Sequence, residues 1–324
     1  RYITKVLEHV MNGPVNVYDI QRKDALTFAD TVRKLPDRMG IKAKYKGKTI
    51  GECIKIADSE GDERLHVATV NKYGECVKEM VNWAKQNVDH DLINHFQNLR
   101  FKDSRLESEK TEPLDEKDIE MFYKGLARYC YDRDIQKQHF YWIPLIGLYS
   151  GMRLNEICQL WVDDIIEVNG VTVFRITEDE ERNQRTKNVQ SIRGVPVHNT
   201  LKELGFMEYV DAIRAKGFNQ LWPSLRPDKE TGSYSDNFST KYSQKKKKFT
   251  DADKKIIFHS TRATITTQLH LVGIDDKTIT DLIGHAHKST LRRSYLAREK
   301  ISTLQEALNK LDYGVDIGLL KPKR

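Results

Sequence analysis

The sequence is short of the features that mark several large protein classes. No window approaches the ~20 uninterrupted apolar residues that a bilayer crossing needs, which excludes a membrane span, and the N-terminus carries no apolar signal-peptide core. Cysteine is scarce, with only Cys53, Cys76, Cys130 and Cys158, and these are too scattered for a Cys-x-x-Cys or Cys/His zinc spacing. They read as free thiols in a reducing cytoplasm. With 18 glycines and 8 prolines the chain is neither collagen-like nor of low complexity. There is no Walker-type glycine-rich loop and no repeat at solenoid periods. The first residue is Arg1, so the native N-terminus is expected to be missing.

What is present is a chain of 324 residues, 39% apolar and 31% charged, which is a soluble globular composition with length enough for two cores. The formal net charge of +7 hints at a polyanionic partner. Divided near residue 108, the chain has 19 basic against 16 acidic residues before that point and 35 against 31 after it. The excess is therefore shared between the halves and gathers in two stretches. One runs from Arg33 to Lys48, with Lys42, Lys44, Lys46 and Lys48 and only Asp37 opposing them. The other, Lys241 to Lys255, contains Lys245, Lys246, Lys247 and Lys248. One such run is usually a solvated loop. Two on separate domains suit a protein that closes around a duplex, where phosphate contacts supply most sequence-independent affinity.

Residues 19–35 read as a helix opened by Asp19 and stopped before Pro36, with Ile20, Leu26, Ala29 and Val32 near one face. A second helix is expected from about Ala68, its stripe formed by Val70, Tyr73, Val77, Met80, Val81 and Ala84. Residues 1–108 thus read as an all-α bundle. The polar segment Lys102 to Pro113 reads as a linker. In residues 109–324, helical pattern gives way at Ile165–Val168 and Val171–Ile176 to two β-rich runs joined by Asn169-Gly170, a strong hairpin signal. A polar loop, Glu178 to Asn188, leads to a third strand at Gly194–Val197. The fold class is mainly α with a small antiparallel β-sheet, in two domains: an all-α bundle and an α+β domain.

Five segments of the second domain carry polar residues of interest. In Ser150-Gly151-Met152-Arg153-Leu154-Asn155-Glu156-Ile157, Gly151 breaks one helix and Arg153 starts the next, where it could hold an oxyanion or simply pair with Glu156. Lys187 lies in the polar loop before Arg193-Gly194-Val195-Pro196-Val197-His198, and a turn lysine is the commoner reading. His259-Ser260-Thr261-Arg262 opens a helix with His259 and Arg262 at i, i+3. Gly284-His285 follows a short helix capped by Asp275. Tyr295 stands beside Arg292 and Arg293. Singly, each has an ordinary structural reading.

Taken in order and spacing, Arg153, Lys187, His259, Arg262, His285 and Tyr295 resemble the signature of the tyrosine recombinase (phage integrase) family. The phrases Ser-Gly-Met-Arg-Leu-x-Glu-Ile, Arg-x-Val-Pro-Val-His, His-Ser-Thr-Arg and Leu-Ile-Gly-His carry the likeness. Residues 1–108 look like the family's helical core-binding domain and residues 109–324 like its catalytic domain. The resemblance implies site-specific cutting and rejoining of DNA through a 3′-phosphotyrosine and a Holliday junction.

The residue types suit that reaction without a cofactor or a metal. Arg153 and Arg262 would grip the non-bridging oxygens, Tyr295 would attack phosphorus, and His259 would serve as base. Lys187 would protonate the leaving 5′ oxygen, and His285 would hydrogen-bond the phosphate. The acidic run Glu178, Asp179, Glu180 and Glu181 reads as a solvated loop tip rather than a metal site. The implied partners are double-stranded DNA attachment sites, three further protomers in a homotetramer on that DNA, and accessory DNA-bending or directionality proteins, in the cytoplasm of a bacterial or phage-infected cell. The segment Ile301 to Leu311 could dock in trans on a neighbour or pack on its own domain. Alternative readings are a type IB topoisomerase-like relaxing enzyme and a non-catalytic DNA-binding module of the same fold.

Overall fold

Apolar residues at helical spacing build thirteen α-helices and only three strands among residues 2–102, 112–130, 134–186, 191–246, 258–284 and 298–320, which the computed structural model describes. The chain divides into two units, Arg1–Arg105 and Leu106–Arg324. Among the described residues no helix is long and apolar enough to cross a membrane.

The first unit contains α1 (Tyr2–Met11), α2 (Arg22–Lys34), α3 (Ile50–Glu60) and α4 (Val67–Asn87). Its core joins Val6, Phe28, Val32, Val70, Val77, Val81 and Phe96, and the Phe28 and Phe96 rings meet edge to face at 5.6 Å. The start of α2 differs from the sequence expectation. Asp19 closes a 3-10 turn, Val17–Asp19, and the helix begins after Gln21, whose N–H donates to Asp24 Oδ2 at 2.9 Å. The inward face also differs from the expectation. Ala25, Phe28, Ala29 and Val32 are buried, whereas Leu26 is 49% exposed. On α4, likewise, Met80 is 48% exposed, because Val70, Val77 and Val81 already fill the inward stripe.

The second unit is organised around α6 (His139–Ser150), in which every residue is buried. It follows α5 (Glu116–Cys130) and precedes α7 (Leu154–Cys158). Then come β1 (Ile165–Val168), β2 (Val171–Ile176) and β3 (Arg193–Pro196), an antiparallel sheet in the order β1-β2-β3. Asn169 and Gly170 have φ of 56° and 75°, the paired positive values of a two-residue hairpin turn. The third strand begins one residue earlier than expected, pairing Ile176 with Arg193, although Val197 N–H still donates to Thr172 O at 2.8 Å.

The remaining helices are α8 (Asn199–Glu203), α9 (Phe206–Ala215), α10 (Tyr234–Lys246), α11 (Phe258–Leu271), α12 (Asp276–Ile283) and α13 (Arg298–Leu308). One face of the sheet shares a core with α11, α12 and α13, formed by Val171, Val173, Ile265, Leu269, Ile279, Leu282, Ile301, Leu304 and Leu308. This decides how α13 packs. Ile301, Leu304, Leu308 and Leu311 are buried against their own unit, so the apolar stripe that trans docking would have used is already covered.

Candidate active site

The turn after α6 is where the site begins. Gly151 adopts φ +63° and lies so close to α11 and α12 that a Cβ there would be 2.9 Å from Ile265 Cγ2 and 3.1 Å from Ile283 Cγ2. Two residues on, Arg153 is the N-cap of α7. Its N–H donates to Glu156 Oε2 at 2.9 Å, so that amide is not open to an anion. Its side chain donates from Nη1 to Glu156 Oε1 at 2.7 Å and to Ser191 Oγ at 3.3 Å, and from Nη2 to Gly284 O at 3.0 Å. The side chain remains 23% exposed.

Arg262 is buried on α11 and donates from Nη1 to Gly151 O and from Nη2 to Ile283 O, the latter at 2.6 Å. Burial, followed by the like charges of Arg153 and Arg193, pushes its guanidinium down to about 9, which leaves it cationic at neutral pH. His259 opens the same helix and is solvent-exposed. What burial it has, with the charges of Arg262 and Arg153, holds its imidazole below the ordinary value. That favours the neutral imidazole, the form able to accept a proton. The threonines that follow are satisfied locally, Thr264 Oγ1 donating to Ser260 O at 2.7 Å and accepting from Leu114 N–H at 2.8 Å.

Of the cluster, the sequence named Glu156 only as a partner for Arg153, which it is, and gave Arg193 no role. Glu156 is 3% exposed, and Arg193 on β3 is 7% exposed. Arg193 donates from Nη2 to Glu156 Oε2 at 3.0 Å, from Nη1 to Ser191 O at 2.9 Å, and from Nε to Leu282 O at 2.9 Å. Burial alone would raise the Glu156 carboxyl, but the charge and hydrogen bonds of Arg193, then those of Arg153, bring it below the usual carboxylate range. The signal for Arg193 was its position in Arg-x-Val-Pro, a charge inside an otherwise buried strand. Consecutive carbonyls at the end of α12 thus each receive one guanidinium: Leu282 from Arg193, Ile283 from Arg262 and Gly284 from Arg153. A helix C-terminus, with its partial negative charge, is a natural seat for cations.

Lys187, His285 and Tyr295 lie outside the described residues, as does most of the predicted linker. The approach to Lys187 is nevertheless anchored. In the Glu178 to Asn188 segment, expected as a polar loop, Gln184 is buried and donates from Nε2 to Asp164 Oδ2 at 2.7 Å and to Gln159 O at 3.1 Å. Among the described residues no group of three His, Cys, Asp or Glu side chains converges as a metal site would require.

The basic stretch of the first unit is partly neutralised by residues that sequence counting did not set beside it. Lys44 pairs with Glu60 and Asp62, both at 2.5 Å, and Lys42 lies 3.6 Å from Asp62. Hydrogen bonds from Lys44, then from Tyr45, hold the Asp62 carboxyl down at about 2. Lys46 and Lys48 are exposed and line a cleft of about 560 Å³ with Lys5 and His9. Lys247 and Lys248 lie outside the described residues, as do the side chains of Lys245 and Lys246.

With this geometry in view, residues 112–300 match the family model described as the phage integrase family. Among solved structures, the Tn1549 transposon integrase in complex with circular intermediate DNA aligns at a TM-score of 0.52 and 18% identity, covering 88% of this chain and 83% of that one. The same integrase in complex with transposon right end DNA gives 0.51 and 17%, covering 88% and 84%. A lambda integrase tetramer bound to a Holliday junction gives 0.50 and 13%, covering 89% and 71%. At these identities the likeness is one of fold. No curated protein matches the chain in sequence.

Proposed function

The chain belongs to the phage integrase family, and from that premise we propose that it is a site-specific DNA recombinase acting through a 3′-phosphotyrosine. The observation that carries the reading is the convergence of Arg153 and Arg262 on the Gly284 and Ile283 carbonyls, immediately before His285. Two guanidiniums held there neutralise the charge that builds on the phosphate in the transition state.

The Tyr295 oxygen attacks phosphorus while the bond from phosphorus to the 5′ oxygen breaks. The phenolic proton passes to His259, whose neutral imidazole is suited to receive it. Lys187 protonates the departing oxygen, and His285 donates a hydrogen bond to the phosphate. The phosphotyrosine conserves the energy of the broken bond, so rejoining by a 5′ hydroxyl needs no nucleotide, and the arginines supply the charge a metal would bring. Residues 1–108 act as the core-binding domain. Four protomers exchange strands on paired duplexes through a Holliday junction, as the fold likeness to the lambda integrase tetramer supports, aided by DNA-bending or directionality proteins.

The test is covalent capture. A library of nicked duplexes with a randomised core is incubated with the protein in EDTA and run under denaturing conditions. A covalent protein–DNA band is expected from wild type and not from Tyr295→Phe, and sequencing the captured strands gives the site. A band that survives Tyr295→Phe, or one that requires Mg²⁺, would sink the reading.

A further inference from the structure

Glu156 presents the site with an electrostatic problem. Its Oε1 takes Arg153 Nη1 at 2.7 Å and its Oε2 takes the Arg153 N–H at 2.9 Å, which fixes the arginine but also neutralises it. A neutral pair has little attraction for a phosphodiester. Arg193 reaches the same carboxylate from β3, Nη2 to Oε2 at 3.0 Å and Nη1 to Oε1 at 3.3 Å. With Arg262 nearby, the described cluster holds three guanidiniums against one carboxylate.

Resting on the recombinase reading, we propose that Arg193 is a positioning residue for strand cleavage: it compensates Glu156, so that Arg153, held by that carboxylate, keeps its positive charge for the scissile phosphate. Arg193 does not itself serve as the phosphate ligand. Its Nε, Nη1 and Nη2 are all committed, to Leu282 O, Ser191 O and Glu156, whereas the described bonds of Arg262 take only its Nη1 and Nη2. The planar fork matters too. It spans two carboxylate oxygens and a helix-end carbonyl at once, which the point charge of lysine does not do.

The experiment compares wild type, Arg193→Met, Arg193→Gln, Glu156→Gln and the doubles that combine each Arg193 change with Glu156→Gln, on a duplex chosen by covalent capture. Either Arg193 change is expected to slow single-turnover covalent complex formation about 100-fold while non-covalent DNA affinity stays within about three-fold. The double variants are expected to regain about ten-fold over the singles, because removing the carboxylate's charge frees Arg153 again. Lost packing alone would not be rescued by that second change. Wild-type rates in the singles, or folded doubles no faster than the singles, would overturn the assignment. If the singles unfold and the doubles fold, the doubles must form the covalent complex within about ten-fold of the wild-type rate for the assignment to stand. If both unfold, Arg193 has a packing role and the assignment falls.

Failure of the recombinase reading shows differently, as no covalent complex from wild type on any duplex. The assignment is then judged on the carboxyl resonance of Glu156, which Arg153, Arg193 and Arg262 face. In Arg193→Met its titration is expected to move upward. An unmoved titration overturns the proposal without any turnover being measured.

Discussion

Gly284 and Arg193 are packed so closely that a Cβ on residue 284 would stand 2.6 Å from Nη1 and 2.7 Å from Cζ of the arginine. Gly284 also sits at φ +66°, where other residues are strained. Gly284→Ala therefore displaces the guanidinium that holds Glu156 as well as straining the turn. A stability loss of ~1–3 kcal/mol is expected together with slower covalent complex formation. An unchanged urea midpoint would contradict this contact.

Arg262 has more structural work than Arg153, serving two backbone carbonyls where Arg153 serves one, Gly284 O. Arg262→Ala leaves Gly151 O and Ile283 O, both in the buried turn region, without their donor, at ~1–3 kcal/mol each. Arg153→Ala leaves Glu156 still paired with Arg193. Equilibrium unfolding should show the Arg262 variant to be clearly the less stable of the two, although both lose cleavage. Equal stabilities would remove the structural role.

His198 gives the second unit a pH dependence. Its Nδ1 accepts from Thr200 N–H at 3.0 Å, capping α8, and its ring lies 4.8 Å from that of Tyr149. Burial pushes its imidazole down from 6.5 to about 4, against an upward pull from the Leu308 and Leu311 backbone. The unfolded chain takes up this proton near pH 6.5, while the fold resists it until about pH 4. Stability is thus fully present above pH 6.5 and falls by up to ~3 kcal/mol across that window as pH drops. His198→Asn, which keeps a capping acceptor, should lose less stability between pH 7 and 4.5 than wild type, and an equal loss would refute the assignment.

Leu308 distinguishes the two packings once open for the C-terminal segment. It is fully buried in the core beneath the sheet. Leu308→Ala should cost ~2–5 kcal/mol in dilute, DNA-free protein. A variant as stable as wild type there, and impaired only in assembly, would favour a seat on a neighbour.

The lysines of the first unit should separate by their acidic neighbours. Each phosphate-contacting lysine removed lowers the slope of log affinity against log salt by about one. Lys46→Ala and Lys48→Ala are expected to do so, and Lys44→Ala, already paired with Glu60 and Asp62, to do so less. Equal slope changes would mean that DNA displaces the carboxylates.

Much of this architecture could be read from local chemistry. The hairpin at Asn169-Gly170, the stop at Gly151 and the Asp275 to Gly284 helix follow from positive φ and capping, which depend on a few adjacent residues. The face of α2 was misread at Leu26, since Ala25, Phe28, Ala29 and Val32 make the buried stripe and only packing shows that Leu26 lies outside it. The pairings of Arg193 with Glu156, of Lys44 with Asp62 and of Gln184 with Asp164 were out of reach for a different reason. Each pairing joins residues far apart in sequence, and composition does not say which charges will meet.

The complete burial of α6 has a consequence for the life of the chain before it works. Tyr141 Oη donates to Leu320 O at 3.3 Å, a partner 179 residues later, and the ring of Phe258 lies over Gly147. At translation speeds of about 5–20 residues per second, the most apolar of the described helices waits roughly ten to thirty-five seconds for those covers. In that interval it is a ready substrate for chaperones and for aggregation. Yield on expression should therefore follow temperature and translation rate more closely than the equilibrium stability of the finished fold.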